Sequence, residues 1–169
     1  MQTILVTGAT GQLGSELMKL FREAPFEVHG TYNETEPDSE ENYHKMDLTL
    51  EDEISQTIRK LQPDVIVHCG AMTDVDACEE NPELAEAINQ RATEIIVDIA
   101  KETNCRLYYV STDFVFDGER GNYYEDSVEN PIQTYGKTKL NGERAVVDMK
   151  ENLFCIIRTS VVFGSQEGN

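Results

Sequence analysis

Short apolar runs of strand length alternate along this chain with longer stretches whose apolar residues recur at helical spacing. Thr3–Thr7 opens the series as a strand, and Leu13, Leu17, Leu20 and Phe21 then fall at helical intervals. Phe26–Tyr32 and the shorter Tyr43–Met46 read as two further strands. Ile54, Ile58 and Leu61 mark a second helix that Pro63 closes, and the strand Val65–Cys69 follows. Asn81-Pro82 has the form of a helix start, because Asn can cap and Pro is tolerated at the first helical position. The helix it opens carries Leu84, Ile88, Ala92, Ile95 and Ile99 along one face. A strand Arg106–Ser111, a helix Tyr135–Met149 after the loop at Pro131, and a last strand Leu153–Thr159 complete the pattern. Such alternation predicts an α/β fold: a Rossmann-type, doubly wound parallel sheet in three layers, with ligands bound at the carboxyl ends of its strands.

Composition narrows the partners. The 169 residues suit one domain. Against 14 Lys and Arg stand 32 Asp and Glu, a net charge of −18, so nucleic acid and anionic membranes are repelled. No apolar run approaches the ~20 residues of a membrane span, and Met1-Gln2-Thr3 enters the first strand without a targeting signal. Cys69, Cys78, Cys105 and Cys155 show no paired spacing, and His29, His44 and His68 lack metal-ligand spacing. A reduced, cytoplasmic protein without a metal is expected. His68, on a buried strand, reads as a satisfied core residue. Asp74, Asp76, Glu79 and Glu80 read as an acidic loop, and Glu34–Glu41 as a solvated one.

Between the first strand and first helix lies Thr7-Gly8-Ala9-Thr10-Gly11-Gln12-Leu13-Gly14. Gly8 permits a tight turn, Gly11 lets the backbone approach a pyrophosphate, and Gly14 lets helix pack on strand. The helix start at Gln12 and Leu13 then offers free N–H groups to phosphate. This pattern predicts a dinucleotide site. After the second strand a 2′-phosphate would need Arg or Lys, yet none occurs between Arg22 and Lys45, and Glu34 and Glu36 follow closely. NADH and NADPH both remain candidates, with local charge favouring NADH.

Tyr135 and Lys139 are four apart and share one face of a predicted helix. A lysine ammonium beside a tyrosine, whose free pKa is ~10, would stabilise the phenolate and ease proton transfer. Ser111-Thr112-Asp113, at the end of the preceding strand, can supply a hydroxyl to polarise a carbonyl.

The ordered set of glycine loop, Ser-Thr strand end and Tyr-x-x-x-Lys resembles the short-chain dehydrogenase/reductases. Finer texture lies in Ser111 to Gly118, Asn130-Pro131, Tyr135-Gly136-Lys137-Thr138-Lys139, Arg158 to Gly164, and Gln62 to His68. With these the chain looks like an extended member, of the dTDP-4-dehydrorhamnose reductase family. The resemblance implies Thr112 as the carbonyl-polarising hydroxyl, Tyr135 as proton donor, and Lys139 as its activator and ribose ligand. It implies Asp113 at the substrate, Asp47 and Leu48 near the adenine, Cys69, Gly70 and Ala71 along the ribose and pyrophosphate, and Thr159 bordering the nicotinamide. Asn89 matches the helix asparagine that such enzymes often use structurally, a catalytic role being the alternative. The implied activity is NAD(P)H-dependent reduction of the C4 ketone of a nucleotide-linked deoxysugar, dTDP-4-dehydrorhamnose to dTDP-L-rhamnose foremost. The beta subunit of methionine adenosyltransferase is similar in the same motifs, which leaves a regulatory dinucleotide-binding subunit as the alternative.

Chains of that family are longer, and the part following the last strand forms most of the sugar pocket. Residues 1–169 are therefore expected to be the dinucleotide-binding domain without the C-terminal substrate domain. Such a chain would bind dinucleotide without turning over a nucleotide sugar. It would expose apolar surface at the carboxyl edge of the sheet and could associate with itself.

Overall fold

The computed structural model describes residues 1–38 and 41–163. Six parallel strands, β1 (Gln2–Thr7), β2 (Phe26–Tyr32), β3 (Tyr43–Lys45), β4 (Val65–His68), β5 (Arg106–Thr112) and β6 (Phe154–Thr159), form one sheet. Their order is β3-β2-β1-β4-β5-β6, so the direction of winding reverses between β1 and β4. The register there pairs Ile4 with Val65 and Thr7 with His68. Crossovers of this kind leave a crevice at the carboxyl ends of the two strands flanking the reversal.

Alternate residues of the central strands feed two cores. Leu5, Ile66, Leu107 and Tyr109 pack under α2 (Glu51–Leu61) and the helices that follow β4 and β5, against Ile54, Ile58, Ile96, Val97 and Val146. Ile4, Val6, Val28, Val65 and Val67 face α1 (Gln12–Arg22) and its Met18. Burial on both faces explains the unbroken apolar runs in the sequence. α1 leaves part of its face open: beside Leu13 and Leu17, an apolar groove of about 460 Å³ runs over Val67, Val110, Tyr108 and Ile157. Beyond β6, Val161 and Phe163 are 67% and 89% exposed.

The strand and helix boundaries shift by a few residues from the sequence reading. α2 ends on Gln62 in the left-handed conformation, one residue before Pro63. The acidic stretch after β4 is not a loop. It forms α3 (Val75–Glu80), whose N-terminus Asp74 caps by accepting from Ala77 N at 2.9 Å. Pro82 is indeed at a helix start, but the Asn81 side chain donates back to the Ala77 carbonyl instead of capping.

α4 (Pro82–Glu86), a π-helical turn (Ala87–Arg91) and α5 (Ala92–Thr103) follow without interruption. The Leu84, Ile88, Ala92, Ile95, Ile99 face is the buried one only in part: Ala92 and Ile99 are inside and Ile95 packs on the core, but Leu84 is exposed, and Ala85, Asn89, Thr93 and Ile96 are buried beside them. Asn89 and Thr93 are polar, so a search for apolar periodicity centres the stripe one residue off. After β5 a 3₁₀ turn (Asp113–Val115) leads through a loop to α6 (Thr134–Val147). Among the described residues no helix is long and apolar enough to cross a membrane.

Candidate active site

At the carboxyl end of β1 the chain turns through Gly8, whose φ is +63°. A side chain there would place its Cβ 2.7 Å from Gly70 Cα, so the loops after β1 and β4 cross with nothing between them. Gly14 fits against the turn itself: its Cβ would lie 2.2 Å from the Gly8 carbonyl oxygen. Gly11 differs, because it is exposed and a Cβ would meet only that oxygen, at 3.2 Å. Space therefore remains in front of the α1 N-terminus. Ser15 N bonding to Gly11 O is the first hydrogen bond there, so the N–H groups of Gln12, Leu13 and Gly14 have no acceptor within the helix. No side chain caps this end and no acid stands in its first turn. A glycine cradle beneath uncapped N–H groups suits a pyrophosphate.

Beside it opens a cleft of about 190 Å³, lined by Gly8, Thr10, Tyr32, Asn33, Asp47, Leu48, Gly70 and Ala71 among others. The structure thus gathers the glycine loop and Asp47, Leu48, Gly70 and Ala71 into one place. Asp47 is held there by accepting from Thr49 N and Thr49 Oγ1 at 2.8 and 2.7 Å, bonds that lower its pKa. Cys69 is not in the lining of the cleft; it lies partly buried against the core under α1, its thiol pushed up to about 12 by burial.

Thr112 ends β5, and its hydroxyl accepts from Phe114 N at 3.2 Å, capping the 3₁₀ turn. α6 then packs directly on that turn, since a Cβ on Gly136 would lie 2.2 Å from the Phe114 carbonyl oxygen. This close approach brings Tyr135, at the start of α6, beside Thr112 and against the Phe114 ring at 5.7 Å. Asp113 follows Thr112, which points its hydroxyl at the Asp113 carboxylate from 3.4 Å. Thr159 stands next to Thr112 on β6, donating to the Ser111 carbonyl at 3.4 Å. On the far side of Thr112 a larger cavity, about 620 Å³, is lined by Asp113, Phe116, Arg120, Tyr123, Tyr124, Gln133 and Arg158 among others. Tyr123 is committed to packing in that wall, stacked on Phe116 at 4.4 Å.

Lys139 is buried at 2% exposure, its Nζ 4.1 Å from the centre of the Tyr109 ring. Loss of water brings its pKa down to about 7, Glu143 and Cys69 opposing the shift. Burial pushes the Tyr135 phenol up, with the Thr112 hydroxyl offsetting part of that. Sequence spacing alone had the ammonium lowering the phenol. In the folded domain desolvation governs both groups, and the amine faces an aromatic ring rather than a phenolate.

Of the groups beneath the site, the sequence marks Asn89 through its resemblance but not the partners it meets. Asn89, inside the π turn, accepts from Met72 N at 2.8 Å and donates to Met72 O at 3.0 Å and Thr138 Oγ1 at 3.1 Å. His29 and His44, which have no ligand spacing in sequence, meet on β2 and β3 with 3.1 Å between ring nitrogens. Among the described residues no group of three His, Cys, Asp or Glu could hold a metal ion.

Sheet order, glycine cradle and the Thr112–Tyr135–Lys139 set define a Rossmann-type domain of the short-chain dehydrogenase/reductase class. The chain belongs to the dTDP-4-dehydrorhamnose reductase family: residues 1–169 match the family model described as RmlD substrate binding domain. It is 38% identical over 162 residues to the probable low-salt glycan biosynthesis reductase Agl14 of Haloferax volcanii, covering 95% of this chain and 54% of that protein. To the methionine adenosyltransferase 2 subunit beta of Xenopus laevis it is 39% identical over 164 residues, covering 96% and 48%. The hypothetical dTDP-4-dehydrorhamnose reductase of Sulfolobus tokodaii superposes with a TM-score of 0.87 at 44% identity, covering 96% of this chain and 57% of that one. The dTDP-4-dehydrorhamnose reductase of Bacillus anthracis, solved in complex with NADP, gives 0.84 at 30% identity, covering 100% and 57%. This chain spans about half the length of the curated relatives it matches.

Proposed function

We propose that this domain holds a reduced nicotinamide dinucleotide and serves the reduction of the C4 ketone of a nucleotide-linked deoxysugar, dTDP-4-dehydrorhamnose being the foremost candidate. The observation that carries this reading is the placement of the glycine cradle after β1 and of the Thr112–Tyr135 pair after β5 at the carboxyl ends of strands in one parallel sheet. Bound at that edge, the dinucleotide supplies the hydride. The Thr112 hydroxyl polarises the ketone by hydrogen bonding its oxygen, and the Tyr135 phenol gives that oxygen a proton. Lys139, buried with its pKa brought down to about 7, would donate to ribose hydroxyls and balance the phenolate charge once its amine turns from the Tyr109 ring. Asp113 borders the larger cavity, where the sugar would enter. The test is oxidation of NADH or NADPH by the protein carrying this domain, with dTDP-4-dehydrorhamnose as acceptor. Turnover that falls at least ~100-fold in Tyr135→Phe supports the assignment, and equal turnover in the two proteins rejects it.

The likeness to methionine adenosyltransferase 2 subunit beta supports a second reading, a dinucleotide-binding regulatory subunit. It predicts dinucleotide affinity with no keto-sugar turnover, and association with an adenosyltransferase measurable by size-exclusion chromatography.

A further inference from the structure

Thr7 and His68 end the two strands that flank the crevice and stand opposite each other in register. His68 is 1% exposed, and both its ring nitrogens are engaged: Nδ1 lies 2.6 Å from Thr7 Oγ1 and Nε2 3.2 Å from Thr93 Oγ1. The Thr93 hydroxyl stands nearer the Asn89 carbonyl, 2.9 Å against 3.2 Å to His68, which assigns its proton to Asn89 and leaves it an acceptor toward His68. His68 therefore carries its proton on Nε2, leaving Nδ1 bare to accept from the Thr7 hydroxyl. The Thr7 oxygen is then free to accept from Gly70 N–H at 3.1 Å. Four hydrogen bonds run in one direction, from the loop after β4 through Thr7, His68 and Thr93 to Asn89. Asn89 continues to Thr138, the neighbour of Lys139 on α6.

We infer that His68, as its Nε2–H tautomer, is a positioning residue for the cofactor cleft: it fixes the Thr7 hydroxyl so that the loops after β1 and β4 are tied together. The inference rests on the reading that this cleft holds a dinucleotide. The tie falls where it matters, because Gly8 and Gly70 pass so closely that no side chain could join them at that crossing. Burial keeps the ring neutral, its pKa lowered to about 3. A charged imidazole would have to donate from both nitrogens, and the direction of the chain would be lost.

Two side-chain replacements separate this role from plain core packing. Glutamine places an N–H near the position of Nε2 and keeps the bond to Thr93, but offers Thr7 no acceptor. Asparagine places a carbonyl near Nδ1 and keeps Thr7, but loses Thr93. Each forfeits one buried hydrogen bond, so thermal stability falls alike in both. NADH affinity, measured by fluorescence titration, should not. His68→Gln and Thr7→Val should each weaken it about tenfold, the double variant no more than either, and His68→Asn less than about twofold. Nitrogen-15 spectra of the histidine rings in the unliganded wild-type chain should show Nδ1 unprotonated and Nε2 protonated. A proton on Nδ1, equal affinity loss in His68→Gln and His68→Asn, or additive effects of Thr7→Val and His68→Gln would each overturn the inference. If His68→Gln does not fold, the tautomer in the wild type decides, together with a change of the Nδ1 resonance in Thr7→Val. A wild-type chain that binds neither NADH nor NADPH would reject the functional reading, while the ring spectra would still judge the hydrogen-bond chain.

Discussion

Replacing Gly14 by alanine sets two effects of opposite sign against each other. Gly14 is in the first turn of α1, and alanine is favoured over glycine in a helix interior by about 0.8–1.0 kcal/mol. Local propensity therefore predicts a more stable domain. Tertiary packing predicts the reverse, because the new Cβ would lie 2.2 Å from the Gly8 carbonyl oxygen and 2.9 Å from Ala9 Cα. Both are main-chain atoms with no rotamer to escape into. The turn is held from two sides, by Ser15 N on Gly11 O at 2.9 Å and Ala9 N on Thr31 O at 2.8 Å. Helix and loop must separate by about 1 Å to restore ordinary contact, an overpacking that costs about 1–3 kcal/mol. Since the obstacle is backbone, the upper end applies, and the net loss is about 2 kcal/mol after the propensity gain. At about 2–4 °C per kcal/mol for a domain of this size, Tm should fall by roughly 4–8 °C. NADH affinity should fall with it, because the cradle itself is displaced. Gly11→Val is the companion: its φ of −74° suits any residue and its Cβ would meet one atom at 3.2 Å. Stability should change by no more than about 1 kcal/mol, while the side chain fills the space before the helix N-terminus and NADH binding is abolished. Thermal denaturation and calorimetric titration of both variants are the assays. A Gly14→Ala protein as stable as the parent, or a Gly11→Val protein with unchanged affinity, would refute the packing argument.

NADH should bind more tightly than NADPH at moderate salt, because Glu34 and Glu36 follow β2 while Arg22, the nearest base before them in sequence, stacks on Tyr43 with 5.2 Å from its guanidinium carbon to the ring centre. Equal or tighter NADPH binding in paired titrations would remove that preference. Glu143→Gln should cost about 2 kcal/mol in chemical denaturation: buried Glu143 takes 2.7, 3.0 and 3.2 Å bonds from Arg158, which also binds Glu129 at 2.7 Å. An unchanged denaturation midpoint would show the pair to be dispensable. His68 ought to make the fold acid-sensitive. Its folded pKa is lowered by burial to about 3 from the usual 6.5, so the unfolded chain binds the extra proton between those values. Its contribution is therefore full above pH 6.5 and is eroded as pH falls toward 3, by up to about 1.4 kcal/mol per pH unit. His68→Asn should flatten the urea midpoint over that window; an identical pH dependence in the two proteins would assign the acid sensitivity elsewhere.

The sequence by itself determined the frame of this protein. Unbroken apolar runs such as Ile4-Leu5-Val6 and Val65-Ile66-Val67 specify strands covered on both faces, and their alternation with helices leaves a parallel sheet as the outcome. Gly8, Gly11 and Gly14 were legible because the turn, the open space and the helix contact they serve all lie within one short loop. Thr112, Tyr135 and Lys139 were legible as an ordered set, although the composition of each segment says nothing of the distance between β5 and α6. That distance was decided by Gly136 against the Phe114 carbonyl, a contact between main-chain atoms on separate elements.

Only the tertiary structure could place the polar groups that sit inside. Asn89 and Thr93 read as solvent positions in a one-dimensional pattern, since hydropathy registers their cost of burial and cannot register partners 17 to 49 residues away. Thr7 and His68 are 61 residues apart, and strand order alone makes them neighbours. The balance between Tyr135 and Lys139 was likewise not in the spacing. A four-residue interval fixes a shared helix face, but how much water each group keeps depends on Tyr109, Thr112 and Phe114, which arrive from another strand and turn. Periodicity records which residues leave water, and the fold decides what they meet when they do.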